Sequence, residues 1–262
     1  LFDEGVRAFE QKQFPEAARK FSLILTRFAS SRFAPPALFN RGLVFLADGR
    51  PREAARDFER YLAEHPDDPE PADVWQRLGE ACSESGDWVR AETALRRRMA
   101  NWPMTLLQEA EVRARLVRSL RMQGRIDEAM AEAVRIMALH EKNREAPEMD
   151  GNWFVAMAAM EVAQIHHDLF GRIKFVLPIE RMEKDLVEKA SLFLKAQSEY
   201  LRTVRLRNPY WGLTAGVKIG RLYEDFYDDV MHAEIPADLS TEDLVLYEAV
   251  LKKQGRPLIA KA

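Results

Sequence analysis

The chain has 262 residues, 47% of them hydrophobic and 31% charged, and a formal net charge of −3. That balance excludes a disordered chain, and no apolar run reaches the roughly 20 residues of a membrane-spanning helix, so no direct membrane insertion is expected. A slightly acidic chain gives no general reason to expect nucleic acid, and a single cysteine, Cys82, excludes an intrachain disulfide framework and a CxxC metal site.

Residues 1–31 read as two helices with a tight turn between them; Phe14-Pro15 opens the second, where proline's missing N–H costs nothing. Residues 35–66 repeat the arrangement, with Leu38, Gly42, Phe45, Gly49, Ala54, Phe58 and a closing Pro66, and the run His65 to Pro69 follows as a connecting loop. Residues 71–103 repeat it again. Trp75, Leu78 and Cys82 recur at three- and four-residue steps and share one helical face. Gly79, lacking a Cβ, lets a neighbouring helix come close, and Gly86 lets the backbone turn. Ala91 is small where the helices cross, Leu95 fills the core between repeats, and Pro103 closes the unit. Cys82 falls in a helix-core slot, so its expected role is buried and structural.

Residues 105–141 form a degenerate fourth pair: Leu116, Leu120, Gly124, Ala129 and Ile136 match, but Val117 stands where glycine is expected and Ala133 where a large residue is expected. Looser or more widely spaced packing is predicted there. Residues 142–151 read as a loop. Asn152 to about Phe170 is an apolar helix, Ile179 to about Arg207 a single long one, and Tyr210 to His232 another, in which Gly216, Ile219, Gly220 and Tyr223 revive the repeat-like face. Ser240 to Asp243 is an acidic helix start, and Leu244 to Gln254 is the last predicted helix.

Gly5 to Gly42 and Gly42 to Gly79 are each 37 residues, and Gly86 to Gly124 is 38. The recurring Trp/Leu, Gly, small, Gly, aromatic, Ala, large and Pro slots resemble the tetratricopeptide repeat (TPR), whose period is about 34. The resemblance covers residues 1–141 well and 152–254 loosely. It implies an all-α fold, a right-handed α-solenoid of stacked antiparallel helix pairs. Residues 1–145 are expected to hold four hairpins, the first truncated and the fourth degenerate, with residues 146–262 continuing the stack as longer hairpins. Leu1 already stands inside a repeat and the final PLIAKA reads like the opening of another helix, so the chain reads as a fragment of a longer protein. The closing stretch, Val217 to Leu258, also resembles the tails of large envelope-associated TPR proteins of gliding and predatory proteobacteria, which favours a periplasmic or cell-envelope location.

No constellation for chemistry emerges. His166 and His167 are adjacent and point about 100° apart, and neither has a carboxylate or histidine three or four residues away. His65, His140 and His232 lie near helix ends, where the dipole favours them. No nucleophile motif and no phosphate-binding loop is present. Arg96-Arg97-Arg98 reads as solvated surface, and so does the acidic run Tyr223 to Asp229, with a cation or a basic partner as its alternative. No enzyme, cofactor or metal is expected.

The resemblance implies instead a binding groove lined by the first helix of each pair. By register the inward positions are Phe2, Val6 and Phe9; then Phe39, Asn40, Leu43 and Leu46; then Gln76, Arg77, Glu80 and Ser83; then Ala114, Arg115, Arg118 and Arg121. Running from apolar to basic, such a groove suits an amphipathic helix or a peptide with an acidic end from another protein. Alternatively, Phe2, Phe9 and Phe39 pack against further repeats or the chain's own C-terminal hairpins. The chaperone-tail clamp known in some TPR domains is not expected: Asn40 and Arg77 match it, but Phe2, Val6 and Asp73 do not. The expected function is a non-catalytic scaffold in a multiprotein assembly, such as a bacterial envelope or motility machine. The alternative is a regulatory or sensor domain of a larger signalling or transcription-regulating protein.

Overall fold

A computed structural model of the chain describes residues 1–68, 71–235 and 245. The helix expected over Leu244 to Gln254, with its acidic start, lies outside the described residues except for the helical Val245. Among the described residues there are eleven long helices, one short 3-10 turn and no strand. The fold is therefore all-α, as expected, and it divides into two compact units, residues 1–132 and 133–262.

The first unit holds α1 (Phe2–Glu10), α2 (Phe14–Arg27), α3 (Ala34–Ala47), α4 (Pro51–Glu64), α5 (Ala72–Ser85), α6 (Trp88–Asn101), α7 (Leu106–Met122) and the opening turns of α8 (Ile126–Lys142). Local chemistry sets the boundaries. Proline stands in the first two positions of α2, α3 and α4. Asp87 caps α6 by accepting from the Arg90 N–H, and Thr105 with Gln108 forms a reciprocal capping box at α7. Gly86 ends α5 at φ 80°, the left-handed conformation that glycine adopts without strain. From α1 to α7 each helix packs on the next, and α1, α3, α5 and α7 also pack in succession. That is the neighbour pattern of an α-solenoid: hairpins stacked side by side, with their first helices in a row.

The hairpins interlock by shape. A Cβ built on Gly42 would stand 2.6 Å from Cε1 of Phe58, which is fully buried; one on Gly5 would meet Phe21 at 2.8 Å, and one on Gly79 would meet Leu95 at 2.6 Å. Leu95 thus fills the space inside its own hairpin before any space between hairpins. Each close approach joins the two helices of one pair. Val117 and Ala133, the exchanged positions of the fourth pair, are both buried.

The expected boundary at residues 145 and 146 lies beyond the division inside α8. The first turns of α8 are tied to the first unit by ion pairs, Glu128 with Arg96 and Glu132 with Arg113. In the second unit, α9 (Trp153–Arg172), α10 (Ile179–Arg205) and α11 (Pro209–Met231) follow a 3-10 turn at Pro147–Met149. All three pack on one another around Met160, Phe170, Phe193, Tyr200 and Leu222. Asn152 caps α9, and Asn208 caps α11 while donating its amide to the Gly151 carbonyl at 2.9 Å, so one corner fixes the start of both helices.

Candidate partner-binding surface

The row of first helices carries the positions expected to line a groove. In α3, Phe39, Asn40, Leu43 and Leu46 are half-buried. Phe39 leans on Phe58 and Tyr61, with ring centroids 5.7 and 6.4 Å away, and Leu43 and Leu46 pack against the same core. These side chains therefore have one apolar face committed to the hairpin. The Asn40 amide donates to the Pro36 carbonyl one turn back, at 2.7 Å. In the first hairpin, Phe2, Val6 and Phe9 pack against the core formed by Phe21 and Leu38, which gives them a local partner without any further repeat.

Farther along, three expected positions do not line an open surface. Gln76, Ser83 and Ala114 are buried. Gln76 donates across to Glu111 at 2.7 Å, and the Ser83 hydroxyl donates to the Gly79 carbonyl. The basic end of the groove is basic only in composition. Arg77 pairs with Glu80 at 2.6 Å; Arg115 pairs with Glu80 at 2.7 Å, with Glu111 at 3.0 Å and with Glu84 at 3.8 Å. With 12% of its side chain exposed, Arg115 is an ion-pair bridge between α5 and α7. Burial first, and then the charge of Glu80, pushes the Glu84 carboxyl above its ordinary value. Arg118 is exposed, with its guanidinium 5.9 Å from the Trp88 ring, and Arg121 is half-buried near the end of α7. The surface thus passes from apolar to mixed charge.

The arginine run expected at the surface also divides. Arg96 pairs with Glu92, and Arg97 lies over the Trp75 ring at 5.1 Å. Arg98, however, is 2% exposed and donates to the Trp102 and Pro103 carbonyls, closing the end of α6. Burial lowers its pKa from the ordinary arginine value. The close sequence position of Pro103, five residues on, is the signal for that inward turn.

The second unit assembles groups that sequence spacing does not connect. His167 is buried, with Nδ1 2.9 Å from the Tyr200 hydroxyl and Nε2 2.9 Å from Asp225. Lys189, fully buried, pairs with Asp229 at 2.6 Å and donates to the Phe170 and Ile173 carbonyls at the end of α9. Burial lowers the Lys189 pKa, against the opposing pull of Asp229. Asp225 and Asp229 belong to the acidic run expected to be solvated. They stand four residues apart on one face of α11, and that spacing is the legible sign that two of the carboxylates share a job. Among the described residues, no group of three or more His, Cys, Asp and Glu side chains could hold a metal ion, and no helix is long and apolar enough to cross a membrane.

Residues 2–69 and 39–103 match the tetratricopeptide repeat family in two overlapping stretches, which together reach from α1 to the end of α6. Comparison with curated proteins gives no match. The matched stretch is similar to tetratricopeptide repeats, a module that generally mediates protein–protein interaction.

Proposed function

We propose that the row formed by α1, α3, α5 and α7 is a groove for an extended peptide or an amphipathic helix of another protein, and that the chain is a non-catalytic scaffold in a multiprotein assembly. The observation that carries this reading is the half-buried apolar trio Phe39, Leu43 and Leu46 beside the mixed-charge band of Arg77, Glu80, Arg115, Arg118 and Arg121. A helix that lays an apolar face on the trio and an alternating charged edge on the band matches both halves. The resemblance of Val217 to Leu258 to envelope-associated TPR proteins supports placing the assembly at a bacterial cell envelope or in a motility machine; most of that stretch lies outside the described residues.

Arg115 is unsuited as a probe of the groove, because its charge holds two helices together. The test is a pull-down from extract of the source organism with the wild type, Leu43→Asp and Arg118→Glu as baits, followed by calorimetric titration with the purified partner. Binding weakened tenfold or more by each substitution, with Tm held within a few degrees, supports the groove. Equal binding by all three baits moves recognition elsewhere and ends the proposal.

A further inference from the structure

Away from the row of first helices, the first unit contains a cavity of about 500 Å³ at the turn ends of the second and third hairpins. Its wall includes Arg52 and Arg56 from the first turns of α4, Trp88 and Val89 from the first turn of α6, and the Gly86 turn. None of the proposed groove residues lines it, although Arg118 stands 5.9 Å from the ring of Trp88 in its wall. Its size lies within the range of about 300–1,000 Å³ typical of binding pockets.

The charge state of this cavity is what distinguishes it. Arg41, Arg50, Arg60, Arg77, Arg90 and Arg96 of the same unit each sit against a carboxylate. Arg52 and Arg56, both exposed, make no hydrogen bond or ion pair among the described residues. Arg56 acts weakly on the Glu53 carboxylate, which Arg50 already holds at 3.0 Å. The aspartate in the wall, Asp87, is bound by Arg90 and caps α6, and Arg90 is further satisfied by Glu59. The cavity also faces the N-terminal ends of α4 and α6, where the helix dipoles add partial positive charge, offset at α6 by its Asp87 cap. Beside these cations lies apolar surface: Val89 is 63% exposed and Trp88 is half-buried.

We propose that this cavity is a docking site, separate from the groove, for an acidic segment of a partner protein. Carboxylates of the segment meet Arg52 and Arg56, and a neighbouring aliphatic side chain lies on Trp88 and Val89. Two uncompensated guanidinium groups spaced one helical turn apart select carboxylates spaced similarly, and the apolar shelf distinguishes a peptide from a small free anion. An array with two such faces holds two partners at once, one along the row and one at the turns.

The test uses the whole chain, with amide and indole resonances assigned by NMR. The probe is an acetylated, amidated hexapeptide of alternating glutamate and leucine; its glutamine counterpart and inorganic phosphate serve as controls. The expected result is saturable movement of the Trp88 indole and Gly86 amide signals with the glutamate peptide, weakened by salt, while Asn40 and Leu43 stay still. Arg52→Glu with Arg56→Glu abolishes the movement, and the milder Arg52→Gln with Arg56→Gln weakens it at least tenfold at unchanged Tm. Leu43→Asp leaves it intact, so failure of the groove and failure of this site are read separately. Equal affinity for the glutamine peptide overturns the proposal, and so does binding retained by the arginine variants. Phosphate alone reaching the peptide's affinity overturns it in favour of a free-anion site.

Discussion

Gly42→Ala tests the interlock directly. The added methyl would stand 2.6 and 2.7 Å from Cε1 and Cζ of Phe58, so the ring must retreat about 0.8 Å to reach the 3.4 Å of ordinary contact. Phe58 has no room to do so freely: it is fully buried and backed by Phe39. Overpacking of this kind costs about 1–3 kcal/mol. Alanine in a helix interior returns about 1 kcal/mol relative to glycine, which leaves a net loss of about 1 kcal/mol. Gly216→Ala in α11 is the control, since a Cβ there meets nothing within 4 Å. It should stabilise by about 1 kcal/mol. Scanning calorimetry of the two variants should show Tm shifts of opposite sign, each about 2–4 °C. Adding Phe58→Leu to Gly42→Ala should recover part of the loss. A Gly42→Ala protein as stable as the wild type would refute the reasoning, because it would mean that the two helices do not depend on the missing side chain.

Other outcomes follow from the charged and ionisable groups. Arg115→Ala removes the bridge between α5 and α7 but leaves Glu80 to Arg77 and Glu111 to Gln76, so it should cost about 1.5–3 kcal/mol in a urea titration; a loss under about 0.5 kcal/mol would mean that Arg115 behaves as an ordinary surface charge. Burial pushes the Cys82 thiol up to about 11. It should therefore resist Ellman's reagent at pH 8 until the chain unfolds, and full labelling of the native protein within minutes would contradict the core position. Burial also pushes His166 below its usual 6.5, with Glu199 opposing and Lys195 reinforcing. The unfolded chain then takes up the proton first, so stability falls as pH drops below about 6.5. His166→Phe should flatten the Tm difference between pH 7.5 and 5.5, and an unaltered pH slope would assign it to other groups. Ala54→Leu or Ala91→Leu, at two fully buried crossings, should cost about 1–3 kcal/mol by thermal melting; an unchanged Tm would sink the register.

The helices were legible because their ends are written in short-range chemistry. Pro15, Pro51, Gly86, Asp87, Asn208 and Pro209 each act within a few residues of where they stand. The Gly42–Phe58 contact was half legible: the slots recur at a fixed spacing, but the spacing does not say that the glycine meets the ring rather than a helix backbone. The fate of the charges was much less legible. Arg115 and Asp57 look like any surface charge in the sequence, and only the packed helices bring Glu80 to the first and Arg41 to the second; Arg98 turns inward onto carbonyls four and five residues further along its own chain. His167 and Asp225 are 58 positions apart, beyond the reach of any helical period. The groove residues were placed by register, and that register did not distinguish a half-buried Leu43 from a buried Gln76.

The contacts of Gly5, Gly42 and Gly79 with Phe21, Phe58 and Leu95 close within a hairpin, and so does the Arg41–Asp57 pair, whereas four other polar ties run between hairpins: Arg41 to Ser22, Arg90 to Glu59, Gln76 to Glu111 and Glu80 to Arg115. The two kinds of contact therefore carry different information. A hairpin could be lifted out, duplicated or transplanted with its interlock whole, as a self-contained part. Its place in the order is another matter. Excising one 37-residue period so that the first hairpin meets the third would set Leu78 where Arg41 faces Ser22, and Ser22 where Glu59 meets Arg90. The stack would still be able to close by shape, but its polar seams would be mismatched, so the sequence of modules is spelled in charges and hydroxyls while the modules themselves are spelled in volume.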